Sequence, residues 1–243
     1  TASGDRDGVI KVWDVETGKV AATLTGHVGH CTALAWMVPV PASAAASAAA
    51  ATASASAAST SGGGSSAAAA VWASYPWNGD LLLSGAQDGH LRVWDMRART
   101  SAANIELHVT DAGAGAVGDI AVAHVPTAAA AAAGATIEDG EALIVSTGAD
   151  RSVCACDPRT GFAPRYRMTH HKDFIYALHV HRNLALSGAG DGLLLCHDLA
   201  DGKVRWGLGA NEAAVRCIGV TDAGVLVTSG DDGKALLYDF GAP

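Results

Sequence analysis

Histidine, serine and aspartate recur together along this chain, and these are the residue types of a hydrolytic triad. They stand as His27, Ser84 and Asp88, as His108, Ser146 and Asp150, and as His171, Ser187 and Asp191. Asn211, Thr228 and Asp232 make a fourth, softer set. The recurrence argues against catalysis, because a nucleophile is needed once, whereas a structural set is needed in every copy of a repeated unit. Other chemistries find less. Cys154, Cys156 and the Cys196-His197 pair lack the paired-ligand spacing of a metal loop. Gly188 to Gly192 is glycine-rich but falls between two strands, not at a strand-to-helix turn, so it is no dinucleotide cradle. No GxxxxGK[ST] or HExxH segment occurs. The expectation is a chain that is not an enzyme, with no cofactor and no metal.

The elements that must position these sets follow from a phrase that occurs five times. It runs Ser3 to Asp14, Ser84 to Asp95 (SGAQDGHLRVWD), Ser146 to Asp157, Ser187 to Asp198 and Thr228 to Asp239. Aligned on Asp7, Asp88, Asp150, Asp191 and Asp232, the last two intervals are 41 residues each and the first two are 81 and 62. Each phrase is an apolar strand, an Asp-Gly turn and a second strand. In the third copy Arg151 replaces the turn glycine, which predicts the most strained or a differently shaped turn. A further strand precedes each hairpin (Cys31 to Met37, Val117 to Ala123, Ile175 to Val180, Val215 to Val220). Another follows (Lys19 to Leu24, Asn104 to Leu107, Ala163 to Met168, Lys203 to Leu208). Four short antiparallel strands per unit of about 40 residues is the arithmetic of a propeller blade.

The chain therefore resembles the WD40-repeat β-propeller family: Gly26-His27 pairs with Trp94-Asp95, and Trp13-Asp14 closes the first phrase. The resemblance implies an all-β fold of four-stranded blades, and a buried set of His, Ser or Thr, turn Asp and third-strand Trp in each. His27, Ser84, Asp88 and Trp94 match in full. Cys156, His197 and Tyr238 hold the Trp place elsewhere, which predicts looser blades there. The units amount to about four and a half blades over residues 1–243, an incomplete ring, and the family implies seven. Upstream blades of the same chain are expected as neighbours. Two insertions interrupt the pattern: an Ala/Ser/Gly-rich stretch at 39–74, expected to be disordered, and an Ala-rich one at 126–140. Both fall between the first and second strands of a blade, on the rim opposite the Asp-Gly turns.

Composition narrows the partners. Of 243 residues 49% are hydrophobic, much of that alanine, and 16% are charged, with a formal net charge of −8. The mean hydropathy is +0.21 and the sequence pI about 5.6. No basic cluster suits a phosphate backbone, so nucleic acid is not an expected partner. No run of about 20 strongly apolar residues suits a membrane. Five cysteines without a CxxC pair suit reduced thiols, hence cytoplasm or nucleus. The family resemblance implies a non-catalytic scaffold for other proteins or peptides, with the turn-bearing face busiest. Transferred by position, that face presents Arg6, Gln87, Gly190 and Asp231 from turns, and His30, Asp173, Phe174, Glu212 and Arg216 from loops and inner-strand starts. A second expectation rests on Trp94-Asp95-Met96-Arg97, which fits the WDxR box of substrate receptors for cullin-4-type ubiquitin ligases, with Arg97 as the docking residue.

Overall fold

The computed structural model of the chain describes residues 1–37, 80–125, 141–221 and 223–239. The two insertions, 39–74 and 126–140, lie outside the described residues. The architecture is all-β. Sheet I holds β1 (Ala2–Gly4), β2 (Ile10–Trp13) and β3 (Val20–Leu24). Sheet II holds β4 (Cys31–Trp36), β5 (Leu81–Ala86), β6 (His90–Asp95) and β7 (Thr100–Glu106). A short hairpin, β8 (Val109–Thr110) and β9 (Gly113–Ala114), precedes sheet III, which holds β10 (Val117–Val125), β11 (Glu141–Gly148), β12 (Val153–Asp157) and β13 (Ala163–Met168). Sheet IV holds β14 (Ile175–His181), β15 (Leu184–Ala189), β16 (Leu193–Asp198) and β17 (Lys203–Gly209). Sheet V holds β18 (Val215–Val220), β19 (Val225–Gly230) and β20 (Ala235–Asp239). Every pairing is antiparallel and between chain neighbours. Most inner and outer strands keep their expected bounds to within one or two residues; β7 departs most, starting at Thr100, not Asn104.

The apolar runs are continuous because the middle sheets are covered on both faces. Alternate side chains serve two interfaces. Leu82 and Trp94 pack on Ile10, Val12 and Leu24 of sheet I. Leu81, Leu83, Leu91 and Val93 pack on Ile144, Cys154 and Cys156 of sheet III. Leu143, Val145 and Val153 then meet Ile175, Leu178 and Ala185 of sheet IV. Leu186, Leu194 and Cys196 meet Val215, Ile218 and Leu226 of sheet V. The opposite parity of sheet V lacks such a cover among the described residues, and Leu237 is 69% exposed. The innermost strands β4, β10, β14 and β18 run beside one another and gather the loops before them at one mouth.

The turns of the five phrases share one shape. Gly8, Gly89, Gly192 and Gly233 have φ of 73°, 76°, 75° and 71°, and Arg151 has 62°. The third turn is thus not differently shaped; it holds an L side chain in the left-handed region, at a cost of about 1 kcal/mol. Glycine is needed at three of the others for space as well. A Cβ there would meet the carbonyl of His27, His108 or Asn211 in the next sheet.

Candidate functional site

The polar sets sit where β5, β11, β15 and β19 carry a hydroxyl inward and the loop before the inner strand brings a ring or amide over it. In sheet II, Trp94 Nε1 donates to Ser84 Oγ at 2.8 Å, and Ser84 Oγ lies 2.7 Å from His27 Nε2. His27 Nδ1 is 3.0 Å from Asp88, which also accepts from Val28 N and His90 N. Ser84 is fully buried. Burial pushes the Asp88 carboxyl up, but these donors outweigh it and leave it below the ordinary carboxylate range. Burial pushes His27 down despite Asp88. Such a set is closed: each donor has an acceptor, and no atom is left for a substrate.

Sheet III lacks the indole yet binds its aspartate most heavily. Asp150 accepts from His108 Nδ1 at 2.8 Å, Ser152 N at 3.1 Å, Ser152 Oγ at 2.8 Å and Arg167 Nη1 at 2.8 Å. His108 Nε2 keeps Ser146 at 2.9 Å. Arg167 does not take the indole's place at Ser146; it reaches in from the outer strand and donates to Asp150 and Ser152 instead, so the lost bond at the hydroxyl is offset by a new one at the carboxylate. In sheet IV, His197 takes the Trp place and lies 2.9 Å from Ser187 Oγ, which is 2.8 Å from His171 Nε2. There the set is slack: His171 Nδ1 stands 3.7 Å from Asp191, and the buried Nδ1 atoms of His171 and His197 have no partner among the described residues. Burial, with the charges of His171 and His170 adding, pushes His197 down to about 3. In sheet V, Asn211 Nδ2 donates to Asp232 at 2.9 Å, and Thr228 Oγ1 donates to Asn211 Oδ1 at 3.1 Å. In sheet I, Trp13 Nε1 donates to Ser3 Oγ, while Asp5 rather than Asp7 gathers the turn N–H groups.

The residues expected on the turn-bearing face divide into separate groups. Arg6, His30 and Gln87 are exposed at the sheet I and II turns, with Gln87 N bonded to His30 O. Asp173 caps Phe174 N at 2.7 Å and closes over Gly190. Glu212 pairs with Lys234 at 2.8 Å. Phe174, Arg216 and Asp231 are brought together around a residue that sequence reasoning missed, Tyr176. Phe174 stacks on Tyr176 with centroids 4.4 Å apart. The Arg216 guanidinium lies over the Tyr176 ring, 3.8 Å from its centroid. Asp231 accepts from Arg216 Nε at 2.8 Å and Nη2 at 2.6 Å. Bonding to Asp231 raises Arg216 above and, reciprocally, holds Asp231 below their ordinary values.

The backbone explains the convergence. Each inner strand carries a β-bulge at its second residue: Thr32, Gly118, Tyr176 and Arg216. Thr32, Gly118 and Tyr176 touch or tie the next sheet, and Arg216 reaches back to the one before it. Thr32 Oγ1 donates to Val117 O at 2.7 Å. Gly118 must be glycine, since a Cβ would overlap Ile175 O and crowd Phe174. Tyr176 and Arg216 meet across sheets IV and V. Equivalence to Arg216 in the repeat was the signal that could have found Tyr176.

Arg97 lies on the opposite rim, half exposed, 3.6 Å from Asp95 and 3.8 Å from Asp80. All five cysteines are free. Among the described residues, no three His, Cys, Asp or Glu side chains gather as metal ligands, and no helix is long and apolar enough to cross a membrane.

The likeness to known proteins concerns the fold. Residues 64–95 match the family described as WD domain, G-beta repeat. Among solved structures, the chain is similar to the computationally designed Ika8 protein at 21% identity and a TM-score of 0.62, covering 98% of this chain and 55% of that one. It is also similar to the computationally designed Ika4 protein at 19% identity and a TM-score of 0.58, covering 92% of this chain and 99% of that one. The chain thus spans little more than half the length of Ika8. No curated protein matches it.

Proposed function

We propose that this WD40-repeat chain is a non-catalytic scaffold that docks other proteins or peptides through its turn-bearing face, in the cytoplasm or nucleus. A WD40 repeat supports protein interaction in general. The observation that carries the finer reading is the stack of Phe174, Tyr176, Arg216 and Asp231, a rigid, half-exposed aromatic and charged surface of the kind enriched at binding hot spots. The buried His and Ser side chains of the sets in sheets II and III support the absence of catalysis, since they bond one another between sheets rather than face solvent. The five free cysteines support a reducing compartment.

A photo-crosslinking side chain placed at Gln87 or Glu212 is expected to capture partners in cells, and one at Arg182 on the opposite rim is not. Capture should fall on combining Arg216→Glu with Phe174→Ala while the urea midpoint stays within its ordinary surface range. Capture from Arg182 alone would move the docking face to the other rim. The cullin-4 alternative rests on Trp94 to Arg97 only. Docking there would compete with Asp80 and Asp95 for the guanidinium, and an adaptor retained by Arg97→Asp would dismiss it.

A further inference from the structure

The docking face proposed above has a chemistry written into Arg216. A guanidinium carries two hydrogen-bonding edges, and each can take a carboxylate. Asp231 uses one edge, Nε and Nη2; among the described residues no second carboxylate meets the guanidinium, whose other neighbour is the Tyr176 side chain. Three other arginines of this chain show what a second acceptor looks like. Arg159 holds Asp157 through Nε and Nη2 and also reaches Glu141 at 2.9 Å. Arg205 holds Asp198 and lies 3.6 Å from Asp201. Arg97 lies between Asp95 and Asp80. Arg216 alone of these four has a single carboxylate among the described residues, and it is the one at the mouth formed by the inner strands.

Its surroundings fit it for recognition. The Tyr176 ring fixes the plane of the guanidinium and strips water from one side, and Phe174 braces that ring in turn. The side chain is still 45% exposed. Among the four bulge positions Thr32, Gly118, Tyr176 and Arg216, only Arg216 carries charge. We propose that the Arg216 edge not taken by Asp231 receives an acidic side chain of a partner peptide, with Asp231 as an intramolecular competitor that limits the affinity. The proposal rests on the turn-bearing face being the docking face. Long-range attraction is weak, because the chain itself carries a formal net charge of −8. Recognition is therefore short-range and bidentate, made within a Debye length of about 8 Å at physiological salt.

The experiment pans a random dodecapeptide phage library on the full chain and on Arg216→Lys, Arg216→Gln and Asp231→Asn. Peptides from the unaltered protein are expected to be enriched in Asp and Glu. Arg216→Lys, which keeps the charge and loses the fork, should weaken synthetic copies of them about tenfold or more, and Arg216→Gln should abolish the acidic enrichment. Asp231→Asn should strengthen binding severalfold, a gain that a purely structural Arg216–Asp231 tie does not produce. Circular dichroism and urea midpoints confirm that each variant is folded. Peptides that depend on Arg216 and Phe174 but carry no acidic enrichment would overturn this chemistry and leave the docking face standing. Peptides indifferent to every face variant, or no enrichment at all, would overturn both.

Discussion

Sheets III and IV have both lost the tryptophan that completes the set in sheet II, and they respond in opposite ways. Sheet III brings new donors to its aspartate: Ser152 follows the turn, and Arg167 bonds Asp150, Ser152 Oγ and Leu107 O at once. Sheet IV replaces the indole in kind, with His197 Nε2 at the hydroxyl, and leaves Asp191 to two backbone N–H groups. The first remedy closes the network at its charged end, and the second closes it at its neutral end. An ionised carboxylate near the core is the costlier group to leave short of donors. The two sheets should therefore differ most when that carboxylate is removed.

Asp150→Ala strands the His108 ring, Ser152 and one edge of Arg167 together, and is expected to cost about 3 kcal/mol or more. Asp191→Ala loses two backbone acceptor bonds and a distant imidazole, and is expected to cost about 1–2 kcal/mol. Urea midpoints at unchanged m measure both. Equal shifts would mean that Arg167 is a bystander and that the two remedies are equivalent.

The comparison sharpens with pH. His197 is held down at about 3 in the folded chain, against an ordinary value of 6.5. Between those values the unfolded chain binds a proton that the folded chain refuses. Stability is therefore lost as pH falls below about 6.5, with a slope of up to about 1.4 kcal/mol per pH unit for one group. Asp88 and Asp150 are held low and lose their contribution only below about pH 4, so measurements at pH 7 and pH 5 stand clear of them. His197→Trp restores the indole donor of sheet II and removes the titrating ring. The drop in stability from pH 7 to pH 5 should shrink by about 1–2 kcal/mol. An unchanged drop would assign the acid sensitivity to His27, His124, His171 and His179, all of which burial also pushes down.

What the sequence makes legible here is whatever the repeat carries. The hairpin phrases, the inner and outer strands, and the recurrence of Ser or Thr with Asp can all be read by aligning copies. What departs from the repeat cannot. Arg167 acts on an aspartate 17 residues away from an outer-strand position that has no such role in the other sheets. Tyr176 owes its place to a bulge, and a bulge depends on how closely the next sheet approaches. Phe174 and Arg216 were reachable by position alone, but their meeting through Tyr176 is a property of two sheets, not of one sequence segment.

The smallest effect concerns the turn that joins the two stories. At Gly8, Gly89 and Gly192 the absent Cβ leaves room for the carbonyl of the ring or amide residue in the next sheet. Arg151 has the same left-handed φ but carries a Cβ, and the next sheet's ring is His171, the one that stands off its aspartate at 3.7 Å. If the side chain of Arg151 holds His171 back, the slackness of sheet IV begins in sheet III. Arg151→Gly relieves about 1 kcal/mol of left-handed strain and returns roughly half of it to the entropy of the unfolded chain. The expected net gain is about 0.5 kcal/mol. The decisive reading is the double variant. With Arg151→Gly in place, His171 can close on Asp191, so Asp191→Ala should cost about 0.5 kcal/mol more than it does in the unaltered chain. Strict additivity would make the two turns independent and leave His197 as the whole cause of the loose set.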